Sequence, residues 1–114
     1  MDVEVALINN GIVDANEDDE HIVLKTDPKS GSGTWRASAG ELDVNVAVSG
    51  SAGWEATGGG RMVVDTACTG LTGSPSMTSG GILNVNAAFE STGSISGSGS
   101  TSAINATASF QWGN

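Results

Sequence analysis

Leucine and valine alternate with aspartate and asparagine along Ser38-Ala39-Gly40-Glu41-Leu42-Asp43-Val44-Asn45-Val46-Ala47-Val48. A degenerate copy of that stretch returns as Ser79-Gly80-Gly81-Ile82-Leu83-Asn84-Val85-Asn86-Ala87-Ala88-Phe89. A period of two puts successive apolar side chains on one side of an extended chain, so both copies predict strands with one buried face. The copies keep one constant offset: Leu42 falls on Leu83, Val44 on Val85, Asn45 on Asn86 and Ala47 on Ala88, and by the same step Thr66-Ala67 falls on Thr107-Ala108. A stack of repeats needs at least about three copies. Two copies predict instead two similar strand-turn-strand units packed as layers of one sandwich or barrel.

The rest of the chain reads in the same terms. Residues 3–8 predict a first strand, and Asn9-Asn10-Gly11 offers the positive-φ pair of a hairpin turn before Ile12-Val13. An acidic loop follows over residues 14–20, and then a strand over residues 21–26. Asp27-Pro28-Lys29-Ser30-Gly31-Ser32-Gly33 combines proline and glycine in the manner of an exposed loop. At the far end Ile104, Ala106, Ala108, Phe110 and Trp112 share one face of a single predicted strand, and the low-complexity run over residues 93–102 predicts a long hairpin tip before it. No segment holds a helical period. The expected fold is therefore all-β, an antiparallel β-sandwich or a Greek-key or jelly-roll-like barrel of about seven to nine short strands with a degenerate two-fold internal repeat. It forms a single domain over residues 1–114, with an acidic N-terminal hairpin and loop (1–32) and repeat units at 33–73 and 74–114.

Composition changes this picture in two ways. Small residues dominate, with Gly at 17 positions and Ser and Thr abundant beside it, whereas Tyr is absent and there are only two Phe and three Trp. Alanine recurs where a larger apolar residue would be expected, and a core so lined yields little transfer free energy at about 25 cal/mol per Å². Burial against further copies or a partner is the expected compensation. The net charge is −9, and the acids crowd into the first thirty positions against Lys25 and Lys29. Such a surface repels polyanions, which excludes nucleic acid and anionic membranes as partners. Cys68 is alone, so no internal disulfide forms, and its alternation with Met62, Val64 and Thr66 marks it as a small buried hydrophobe. The start of the chain shows neither a basic n-region nor an apolar run of export length, so synthesis in a cytoplasm without secretion is expected.

Candidate chemistry is sparse. Asp14, Asn16, Asp18 and Glu20 place four oxygen-bearing side chains at alternate positions, as at the start of a calcium loop. The sixth position is Asp19 where glycine is required, and the twelfth is Lys25 where a bidentate Glu is required. A solvated acidic turn is the simpler reading, with these four as the candidate ligands of a structural calcium and no other cofactor expected. His21 is the only histidine, and no serine sits in Gly-x-Ser-x-Gly, so no enzymatic activity is expected. Trp112 falls on the apolar face of its strand. Trp54 follows Gly50-Ser51-Ala52-Gly53 and is the candidate exposed aromatic for stacking on a glycan.

These features lead to an expected role as a non-enzymatic structural protein of a virion. The specific expectation is a decoration (cement) protein on a tailed-phage capsid, bound to the major capsid protein or another virion protein as a homo-oligomer, a trimer in the favoured arrangement. The edge segments carry the expected assembly contacts, through Val3, Val5, Leu7, Phe110 and Trp112. The alternatives are an extracellular cell-surface or appendage module that is adhesive or binds glycans, and a phage tail tube or fibre component.

Overall fold

Short extended segments of two to four residues alternate with corners along the whole chain, and at each corner the chain turns aside without doubling back. Consecutive strands therefore lie on different faces, and each finds its hydrogen-bonding partner one full circuit later. The computed structural model describes residues 1–94, 96–98, 103–106 and 110–112. Among them every strand pairing is parallel. The result is a β-solenoid of about 5 turns. It replaces the antiparallel sandwich or barrel expected from the sequence.

Three faces build each turn. A long face stacks Asp2–Val3, His21–Leu24, Glu41–Val44, Arg61–Val64, Ile82–Val85 and Ala103–Ala106. A second face, which holds the tryptophans, stacks Ile12–Ala15, Thr34–Ala37, Gly53–Ala56, Pro75–Met77 and Ser96–Gly97. The third is broken in two: Leu7–Ile8 pairs with Lys29–Ser30, and Cys68–Leu71, Phe89–Ser91 and Phe110–Trp112 form a separate ladder. The bridges Lys29↔Val48 and Gly50↔Leu71 join the halves. Along the long face the register runs Asp2↔Val23↔Asp43↔Val63↔Asn84↔Asn105, so a circuit takes about 20 residues, at the short end of solenoid periods. The offset between Leu42 and Leu83 is thus two circuits, with Met62 on the rung between them.

In-register stacking sorts side chains into columns. Ile22, Leu42, Met62 and Leu83 form one inner column of the long face, and Leu24, Val44, Val64 and Val85 form the next. Facing them, Trp35 and Trp54 are adjacent rungs of one column, and Ala15, Ala37, Ala56 and Met77 make the column beside it. The indoles fill the width that the alanines leave, at roughly 4–6 kcal/mol of transfer free energy each. Trp54 also meets Phe89 edge-to-face with ring centroids 5.3 Å apart. Both indole N–H groups are buried without a hydrogen-bond partner, which costs about 1–3 kcal/mol apiece.

Several local expectations change accordingly. Asn9-Asn10-Gly11 is a corner and not a hairpin turn, because the Asn9 carboxamide bonds across coils: Nδ2 donates to the Thr34 carbonyl at 2.8 Å, while Oδ1 accepts from the Gly11 N–H at 3.1 Å. The expected loop over 27–33 contains the strand Lys29–Ser30, with Lys29 only 1% exposed. Its ammonium donates to the carbonyls of Lys25, at 2.9 Å, and of Asp27, and burial pushes its pKa below the ordinary lysine value. The expected final strand is two strands on different faces, Ala103–Ala106 and Phe110–Trp112, and Ile104 is exposed. In the expected hairpin tip, Ser96–Gly97 pairs in parallel with Ser76-Met77, while residues 95 and 99–102 lie outside the described residues.

The corners decide how closely coils approach. A Cβ at Gly81 would sit 1.9 Å from the Ala56 carbonyl oxygen, at Gly60 2.0 Å from that of Ala37, and at Gly73 1.7 Å from that of Ala52. Only glycine passes there, since backbone and not a movable side chain occupies the space. Gly11, in contrast, has nothing within 4 Å of its Cβ position. Gly73→Ala and Gly81→Ala are each expected to lower unfolding free energy by about 3 kcal/mol in denaturant titrations, with Gly11→Ala close to neutral. Equal effects at all three sites would show that coil spacing relaxes freely.

Candidate functional site

Parallel in-register pairing places residues of neighbouring coils about 4.8 Å apart, and alternate residues of one strand about 7 Å apart on the same side. On the outer side of the long face this brings together residues distant in sequence. His21 pairs directly with Glu41, which pairs with Arg61, while Asp43 stands two residues beyond Glu41 on the same strand. Their intervening neighbours Ile22, Leu42 and Val44 point into the core, which leaves the imidazole and both carboxylates on the outer surface.

The three groups converge. His21 Nε2 lies 2.5 Å from Asp43 Oδ2 and 3.7 Å from Glu41 Oε1. One nitrogen or oxygen from each residue falls within 4.8 Å of the others. Half of the imidazole is exposed, whereas the Asp43 side chain retains only 15% of its surface. Asp43 Oδ1 is buried with no hydrogen-bond donor. Glu41 has a raised pKa, first because it shares a hydrogen bond with Asp43 and then because of burial, against the opposing influence of His21 and Arg61.

The four sequence-predicted calcium ligands are arranged differently. Asp14 lies on the outer side of the tryptophan face, where its carboxylate accepts from the Ser38 N–H at 3.1 Å and from the Ser38 hydroxyl at 2.9 Å. Arg36 stands on the next rung, 3.8 Å from Asp14 and 2.7 Å from Glu55 on the rung beyond. Glu20 turns back to accept the Asn16 N–H at 2.7 Å, which closes the acidic corner, and Asp18 is exposed on it. Among the described residues, the group that converges with metal-ligand spacing is His21, Glu41 and Asp43.

The aromatic candidate and the edge candidates also have clear positions. Trp54, expected on a loop, occupies a strand and is 1% exposed; its indole belongs to the core and offers no face to a sugar. Val3 and Leu7 are partly buried on the first coil and pack against the core, while Val5 is 66% exposed. Phe110 and Trp112 are placed by backbone pairing with Phe89 and Ser91, and their side chains lie outside the described part of the structure. The first coil also carries Ile8 at 70% and Ile12 at 60% exposure, on either side of the Asn9–Gly11 corner. Its strands Asp2–Val3, Leu7–Ile8 and Ile12–Ala15 are the outer members of their ladders, so each has, among the described residues, a row of backbone groups without a strand partner.

Sequence reasoning singled out His21 but passed over Glu41 and Asp43. The signal that joins them is the recurrence of an apolar pair in alternate positions, at Ile22/Leu24, Leu42/Val44 and Met62/Val64, which aligns position 21 with 41 and 61. Comparison with protein-family models, curated proteins and solved structures finds no match.

The Glu41–Asp43 contact gives a pH signature. A carboxyl whose pKa is raised by folding binds more protons in the native state, so stability falls as pH rises from its ordinary value of 4.5 through the raised value. In chelator, Glu41→Gln is expected to melt increasingly above the parent protein as pH climbs from 4.5 toward neutrality. A difference in melting temperature that does not vary with pH would show that the carboxyl contact carries no such penalty.

Proposed function

We propose that this chain is a non-enzymatic structural module, a squat β-solenoid whose first coil seats on a β-edge of a neighbour in a larger assembly. A virion surface is the assembly that fits its composition best, either as a shell-decorating protein or as part of a fibre. The observation that carries this reading is the placement of exposed large apolar side chains. Met1, Val5, Ile8 and Ile12 all belong to the first coil, beside strand edges that have no partner among the described residues. Further support comes from the geometry of the edge: an approaching strand gains main-chain hydrogen bonds and covers Val3, Leu7 and Val13, which are only partly buried.

Edge stacking has a consequence for charge. The first coil presents Asp2 and Glu4, and Asp2 is neutralised by Lys25 at 2.8 Å. A basic or neutral partner edge suits the other acids of this coil, Glu4 and those over residues 14–20, better than an acidic one. Sedimentation velocity from micromolar to submillimolar concentration tests the stacking surface with the chain itself as the available neighbour. The parent protein is expected to associate reversibly and more strongly with added salt, while a double variant Ile8→Asp, Ile12→Asp stays monomeric with an unchanged melting temperature. A parent chain that remains monomeric throughout overturns this use of the edge.

A further inference from the structure

Independently of the assembly reading, we propose that His21, Glu41 and Asp43 form a binding site for a divalent transition metal, with zinc as the preferred ion. The site joins two consecutive coils, since His21 comes from one strand of the long face and both carboxylates come from the next. Main-chain hydrogen bonds on both sides of these strands fix their relative position, so the donor set is held in place before any ion arrives.

Geometry and chemistry agree on the class of ion. Zinc binds imidazole nitrogen and carboxylate oxygen at about 2.0–2.2 Å, which puts two ligands of a tetrahedral centre roughly 3.3 Å apart. The present separations from His21 Nε2, 2.5 Å to Asp43 and 3.7 Å to Glu41, bracket that value. Small side-chain rotations suffice to reach it. Within the cluster, Asp43 Oδ1 is buried and has no donor while Oδ2 faces His21, a condition that an adjacent cation relieves. The imidazole selects against calcium and magnesium, which prefer all-oxygen sets of six or more ligands. The exposed side of His21 leaves the remaining coordination position to water or to a group from a partner. The neighbouring charges are Arg61, on the rung beyond Glu41, the Asp2–Lys25 pair, and the Met1 α-ammonium, which donates to the His21 carbonyl at 2.6 Å.

The test is calorimetric titration of the full chain with Zn²⁺, repeated with His21→Gln and Asp43→Asn, each checked by circular dichroism. One equivalent is expected to bind the parent protein, with affinity at least about tenfold weaker in either variant and unaffected by millimolar Ca²⁺. Binding that survives unchanged in His21→Gln, displacement by Ca²⁺, or absence of saturable uptake overturns the proposal. A second reading does not depend on the variants. His21 is the only histidine, so its ring resonances in the parent protein report the site directly. They are expected to shift on Zn²⁺ addition, and Co²⁺ is expected to give visible absorption of a four-coordinate centre. Ring resonances that stay fixed while those of residues 14–20 move would place the ion on the acidic corner and overturn the assignment.

Discussion

The in-register parallel ladder that joins each coil to the next sets the terms for everything else in this molecule. A backbone N–H in one coil finds its acceptor in a neighbouring coil: Arg61 donates back to the Gly40 carbonyl and Asp65 to that of Val44, whereas Cys68 donates forward to that of Ala88. Coils so joined approach to one strand spacing on all three faces at once. The corners must then pass within that same distance, which is why glycines stand at 40, 60 and 81 and again at 33, 73 and 93. The ladder also removes any freedom to choose neighbours, because whatever occupies a position meets its own counterpart above and below.

That rule works in opposite directions inside and outside. Within the core, like stacks on like, and the columns of leucine and valine are continuous. Outside, a repeated charge would face itself on every rung at about 4.8 Å. The surface columns alternate instead: Asp14, Arg36 and Glu55 on one face, and His21, Glu41 and Arg61 on another. A chain of net charge −9 is thereby stacked with few direct repulsions. The Glu41–Asp43 contact stands out against this order, since the two acids share one strand and their contact raises the Glu41 pKa.

Alternation of apolar and polar residues placed strands within 21–26, 38–48 and 79–89, where His21–Leu24, Glu41–Val44 and Ile82–Val85 lie, but it could not announce their connection. Strand period is a local property, whereas parallel or antiparallel pairing depends on whether the corners reverse the chain. The likeness between the Leu42 and Leu83 stretches hid the true repeat, because the intervening rung, Gly60-Arg61-Met62-Val63-Val64, keeps the glycine and the last valine but has Met for Leu and an apolar Val63 where the others carry Asp43 and Asn84. Circuits of unequal length blurred it further: on one face Val13 pairs with Trp35 and Trp35 with Trp54, a longer step followed by a shorter one. The small core was legible as a surplus of alanine; that two buried indoles fill the space opposite was not, since nothing local in Gly53-Trp54-Glu55 distinguishes an inward from an outward ring. His21 stood out as a solitary imidazole, yet its partners lie a circuit away and become visible only once the register is known.

The direction of the hydrogen bonds has a mechanical meaning. They run along the solenoid axis, from coil to coil, so tension between the two ends of the chain loads them one rung at a time, as a zipper is opened, and not all together in shear. Each rung that yields releases a circuit of about 20 residues, roughly 70 Å of extended chain, while the coils behind it stay folded. Compression along the same axis meets stacked backbones whose tight corners, at Gly60, Gly73 and Gly81, have no room to close. A solenoid of this kind is stiff when pushed and gives way in measured lengths when pulled.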